Sequence, residues 1–64
     1  MNNTFIIATN EERGYTLLMR LDKNDNPVKN EPYVVAWGYD PVDQDWLQGH
    51  YFDDIRKAIA YLFS

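Results

Sequence analysis

Apolar and polar positions in the first two thirds of the chain follow strand-like runs broken by turn formers. Thr4-Phe5-Ile6-Ile7-Ala8-Thr9 is β-branched and aromatic, a composition that suits a pleated strand. Asn10-Glu11-Glu12-Arg13-Gly14 interrupts it with turn residues, among which Gly14 is free to take a positive φ. Residues 15–21 read as a second strand, so the two form a hairpin. Residues 22–31, dense in Asp, Asn, Lys and Pro, read as a long polar loop and are expected to be mobile. Residues 32–39, Pro-Tyr-Val-Val-Ala-Trp-Gly-Tyr, carry the strongest strand signal. Asp40-Pro41-Val42-Asp43-Gln44-Asp45 reads as a turn, and residues 46–52 as a shorter strand weakened by Gly49. From Asp53 the period changes. Ile55, Ala58, Ile59 and Leu62 fall at i, i+3, i+4 and i+7, one stripe of a helix, with Asp53 as its N-cap and Asp54 in its first turn. Ile59, in the middle of that stripe, is expected to be fully buried.

The order is therefore ββββα. It predicts an α+β fold, a four-stranded antiparallel meander with one C-terminal helix packed on one face, in a single domain spanning residues 1–64. Strict alternation sorts the strands into two sets. One holds Ile6, Ala8, Leu18, Val34 and Ala36; the other holds Phe5, Ile7, Tyr15, Leu17, Met19, Tyr33, Val35, Trp37 and Tyr39. Both faces are apolar, whereas an antiparallel sheet with one wet face alternates apolar with polar. The helix is expected on the small-residue face, where Ala8, Ala36 and Gly38 permit close approach. The reverse packing would bury the aromatics instead. Either way one apolar face is left for a partner or a second copy.

Size and charge narrow the chemistry. A chain of 64 residues buries a modest fraction of its surface, and the 16% aromatic content supplies large rings to compensate. With no Cys and a single His, a disulfide, a thiolate zinc site and a multi-histidine site are all excluded. A net charge of −4 disfavours direct nucleic-acid binding and anionic membranes. The run Phe5 to Ala8 is too short for a signal core, and no run approaches a membrane span, so a cytoplasmic location is expected. Asn2-Asn3-Thr4 matches a glycosylation acceptor in form only.

Four groups of residues invite a functional reading. Asp22-Lys23-Asn24-Asp25-Asn26 imitates the start of a calcium loop. Pro27 then stands where Gly must turn, and Tyr33 where a bidentate Glu must close the cage, so a polar turn is expected. Asp40, Asp43 and Asp45 suit turn chemistry or a basic partner better than a metal. His50 has no placeable nucleophile, and the three glycines form no phosphate loop, which points away from an enzyme and from any cofactor. Trp37, Tyr39, Trp46 and Tyr51 lie around the third turn beside those aspartates, which argues against base stacking. Aromatic anchors inside a charged rim are the anatomy of a protein interface. The expected contact set is Tyr33, Trp37, Tyr39, Asp40, Asp43, Asp45 and Trp46, with Arg56 and Lys57 on the solvated helix face.

From Tyr33 to Phe63 the pattern Y-V-V-A-W-G-Y-D, W, G-H-Y-F-D-D and A-x-x-Y-L-F resembles small uncharacterised proteins of bacterial mobile elements and phages. In size, acidity and lack of catalytic groups the whole chain is similar to anti-CRISPR and anti-restriction proteins. Those families bind nucleic-acid-handling enzymes, sometimes by imitating phosphates with carboxylates. The resemblance is one of type and assigns no residue a role. It implies a non-catalytic domain that binds a basic protein surface, with a homodimer built through the aromatic sheet face as the alternative.

Overall fold

The computed structural model describes residues 3–64, so Asn2 of the acceptor triplet lies outside the described residues. The chain forms β1 (Asn3–Asn10), β2 (Tyr15–Leu21), β3 (Tyr33–Trp37), β4 (Gln48–Phe52) and α1 (Ile55–Leu62). Each strand pairs antiparallel with the next, giving one sheet in the order β1-β2-β3-β4. The expected meander with its C-terminal helix is what forms. Gly14, at φ 71°, turns the first hairpin, and its N–H donates to the Glu11 carbonyl at 3.2 Å.

Pairing between β1 and β2 slips by one residue. Ile6 lies opposite Leu18 and Ala8 opposite Leu17, which leaves Ile7 as the extra residue of a β-bulge. Because side chains alternate with a period of two, one extra residue inverts the parity of everything beyond it. Ala8 therefore shares a face with Leu17 and Val35, while Ile6 stays with Leu18 and Val34.

The helix lies on the face that carries the rings, against the expectation that it would choose the small-residue face. Ala58 and Leu62 are buried against Leu17 and Val35, and Ile7, Ala8, Tyr15, Tyr33, Phe52 and Tyr61 pack around them. Close approach is supplied by Ala58 on the helix, so small residues on the sheet are not required. The helix is also rolled away from the expected stripe. Tyr61 sets its ring 4.5 Å from that of His50, 5.6 Å from Phe52 and 5.8 Å from Tyr15. Docking that ring turns Ile59 outward, where it is 41% exposed instead of buried. The N-cap is Asp54, one residue later than expected: its extended backbone (φ −128°, ψ 127°) lets the carboxylate accept from the Arg56 N–H at 2.8 Å. Asp53 instead faces Lys57 one turn on, at 3.4 Å on the surface. At the other end the Asn10 amide donates to the Leu62 carbonyl at 2.7 Å and ties α1 to β1.

Residues 22–31 are tightly hydrogen-bonded. The Asp22 carboxylate accepts from the N–H groups of Asn24 and Asn26 at 2.8 and 3.1 Å. The Arg20 guanidinium donates to the carbonyls of Asn30 and Glu31 at 3.1 and 2.7 Å while lying over the Tyr51 ring.

Leu18, Val34 and Ala36, on the face opposite the helix, are fully buried. Tyr39 and Trp46 cover them. Both belong to residues 38–47, the connection from β3 to β4, which folds back across the sheet as a strap. The face expected to be open is therefore covered over its centre, with Ile6 and Tyr51 still exposed beside the strap: helix, sheet and strap make three layers.

Candidate functional site

The strap is built by local chemistry. Gly38, at φ 71°, turns the chain out of β3; a Cβ there would stand 2.8 Å from Leu47 Cδ1. Asp40 and Asp45 then pair, each N–H donating to the other's carbonyl at 2.8 and 3.2 Å. The Asp40 carboxylate accepts from the Val42 N–H at 2.9 Å, and that of Asp45 accepts from the Trp46 N–H at 2.9 Å. Asp40 to Asp45 is thus a miniature hairpin held by its own acids.

Two long reaches pin it to the sheet. Gln44 sits in the left-handed region (φ 53°), uncommon for a residue with a side chain. From there its Oε1 accepts from the N–H and the hydroxyl of Thr4 on β1, at 2.9 and 3.0 Å. The Tyr39 hydroxyl meets the Thr4 hydroxyl at 2.7 Å. On the other side Trp46 lies over Gly49, where an added Cβ would come within 2.8 Å of both the indole nitrogen and Val34 Cγ2. The indole N–H donates to the Tyr51 hydroxyl at 3.1 Å.

Held this way, the strap displays Asp40, Asp43 and Asp45, all exposed, beside Val42 and Leu47, which are 83% and 73% exposed. Gly38, the three aspartates, Trp46 and Leu47 line a depression of about 190 Å³. Among the described residues no group of three or more acidic or histidine side chains converges as a metal-ligand set. What the depression suits is a single long cationic side chain: carboxylates for its charge, the indole for its stem or head.

The seven residues expected to form one contact surface divide. Tyr39, Trp46 and the three aspartates come together on the strap. Tyr33 does not join them: it faces the helix side, opposite Phe52, half-buried in the core. Trp37 lies on the helix side too, 44% exposed at the other end of β3. Tyr39 and Trp46 are struts rather than free anchors. Val42, Gln44 and Leu47 were not among the expected residues; the available signal was an apolar residue at each side of an otherwise acidic turn.

Charge elsewhere is arranged simply. The Arg56 guanidinium and N–H beside Asp54 hold that carboxyl below its ordinary pKa. The Tyr15 hydroxyl, helped by partial desolvation, pushes the Tyr61 phenol up. No helix of the described residues is long and apolar enough to cross a membrane.

Fold and site together define a small α+β domain of three layers that displays a braced acidic loop. No family model, curated protein or solved structure is significantly similar to the chain.

Proposed function

We propose that this is a non-catalytic protein-interaction domain whose strap docks on a basic protein surface. In its specific form it is a phage or mobile-element inhibitor of a nucleic-acid-handling defence enzyme, acting in the cytoplasm. The observation that carries the reading is the depression walled by Asp40, Asp43, Asp45 and Trp46 on a loop braced at both ends. Enzymes that grip nucleic acid do so with Lys and Arg aimed at phosphates. Preplaced carboxylates answer the same cations, and a rigid loop loses little entropy on docking. Val42 and Leu47 provide the apolar contact, with the aspartates as its charged rim. The centre of the surface assigned to the alternative, a homodimer through the aromatic sheet face, is occupied by α1, which leaves Trp37 and Phe5 exposed at its margins. A second copy would meet that face only at those margins.

The test is affinity capture with the tagged domain from nuclease-treated lysate of cells carrying a CRISPR or restriction system, repeated with Asp40→Asn, Asp43→Asn and Asp45→Asn combined. The expected result is a nucleic-acid-binding enzyme retained by the parent and lost with the triple variant. Equal capture by both, or no enzyme retained by the parent, would overturn the reading.

A further inference from the structure

On the helix side, away from the strap, Arg13, Tyr15, Trp37, Gln48 and His50 line a cleft of about 260 Å³. Four elements of the sequence meet there. Arg13 stands on the first hairpin turn, Tyr15 opens β2, Trp37 closes β3 opposite Tyr15, and Gln48 opens β4 opposite Trp37. A Cβ on Gly14 would rest 3.4 Å from the indole nitrogen of Trp37, so the turn lies against the edge of that ring. Tyr61 stands behind it, its ring 4.5 Å from His50 and 5.8 Å from Tyr15.

The lining contains a guanidinium, an amide, a phenol, an indole and an imidazole, and no carboxylate. Among the described residues the ion pairs are Arg56 with Asp54 and Lys57 with Asp53; Arg13 is in neither. Trp37 keeps 44% of its surface exposed because the eight residues of α1 end their coverage before reaching it. An unpaired guanidinium beside an uncovered indole offers two complementary contacts. A planar fork matches an oxyanion bidentately, and a flat ring takes a second ring by stacking.

The geometry points to a binding site for a small planar aromatic acid, its carboxylate on Arg13 with Gln48 and Tyr15 as further donors, its ring against Trp37. The volume admits one ring with its acid group and is below that of a typical cofactor site. The site is independent of the strap, which lies across the opposite face of the sheet.

The experiment is an NMR titration of the whole isotope-labelled domain with benzoate, benzyl alcohol and acetate in turn. Benzoate should give saturable shifts confined to the Trp37 indole N–H, the Gly14 amide and the Gln48 side chain. Benzyl alcohol lacks the charge and acetate the ring, so each should bind about tenfold more weakly or worse. Arg13→Gln, on an exposed turn, should leave the melting temperature in place and weaken benzoate by about tenfold. The triple Asp→Asn variant of the strap should bind benzoate like the parent, which separates this site from the docking proposal. Shifts that do not saturate, that spread over the surface, that acetate reproduces equally, or that survive Arg13→Gln would each overturn the assignment.

Discussion

Gly49→Ala tests whether the strap is part of the core. Glycine in a strand is ordinarily a weakness, and replacing it with Ala at a compatible site stabilises by about 0.4–1 kcal/mol through the unfolded chain. Here the new methyl would lie 2.8 Å from the Trp46 indole nitrogen, 3.2 Å from its Cδ1 and 2.8 Å from Val34 Cγ2. Val34 is fully buried and cannot retreat, so either the indole lifts or the sheet shifts. Overpacking of this kind costs about 1–3 kcal/mol. The net expectation is a loss of about 1–2 kcal/mol. A domain of 64 residues has a total stability of about 3–10 kcal/mol, and each kcal/mol moves its melting point by about 4–8 °C. Thermal unfolding followed by circular dichroism should therefore show a fall of about 5–15 °C. In a Trp46→Ala background the same change should cost less, because half of the clash has gone. A melting point that rises, as a strand glycine free of contacts would give, refutes the placement of Trp46 over β4.

Leu62→Ala should cost about 2–5 kcal/mol by urea unfolding, since Leu62 is fully buried, while Ile59→Ala at 41% exposure should cost clearly less; equal losses would mean the helix is not rolled as described. Asp54 has a folded pKa below its unfolded value, so its contribution is present above about pH 3.9 and lost as pH falls through the folded value. Asp54→Asn keeps a capping side chain and removes the titration, so its stability should fall less steeply than the parent's in acid, and parallel curves would contradict the ion-pair assignment. Once a partner is captured, the triple Asp→Asn variant should associate more slowly and with a flatter salt dependence, whereas Leu47→Ala should chiefly speed dissociation; surface plasmon resonance distinguishes the two.

Element order was legible because periodicity reports local backbone geometry. The change from runs of β-branched residues to the 55/58/59/62 spacing located the helix, although Ile59 of that stripe turns outward, and the second strand falls at residues 15–21 as read. What could not be read was set by contacts distant in sequence. Phe5-Ile6-Ile7-Ala8 is apolar at every position, so nothing in the run marks Ile7 as the bulged residue or shows that Ala8 changes face. On the helix Ile59 and Tyr61 flank the Ala58–Leu62 line on opposite sides. Which flank turns inward depends on the rings across the interface, and His50 and Phe52 select Tyr61. The five strap residues singled out from the sequence, Tyr39, Asp40, Asp43, Asp45 and Trp46, do lie together in space. The role of Tyr39 and Trp46 was hidden because it rests on Thr4, 35 residues before Tyr39, and on a glycine beneath the indole.

The sheet is apolar on both faces, and an eight-residue helix about 12 Å long covers the centre of one of them. The chain closes the other with a connection, so the loop that displays the aspartates is also half of the core. Stability and recognition are consequently coupled in the strap but separable by residue. Tyr39, Gln44 and Trp46 face the sheet, and replacing them releases the loop and uncovers Leu18, Val34 and Ala36 together. Val42, Asp43 and Leu47 face solvent, and replacing them leaves the bracing intact. Gln44 adds a second consequence. Its Oε1 takes the Thr4 N–H, a donor left free by β2 on the outer strand, and the bulge at Ile7 distorts the same edge further along. Both features blunt an edge against strand addition by another chain. A strap that is seated therefore protects a face and an edge at once, which is why its left-handed Gln44 is tolerated despite a backbone conformation that disfavours any residue with a Cβ.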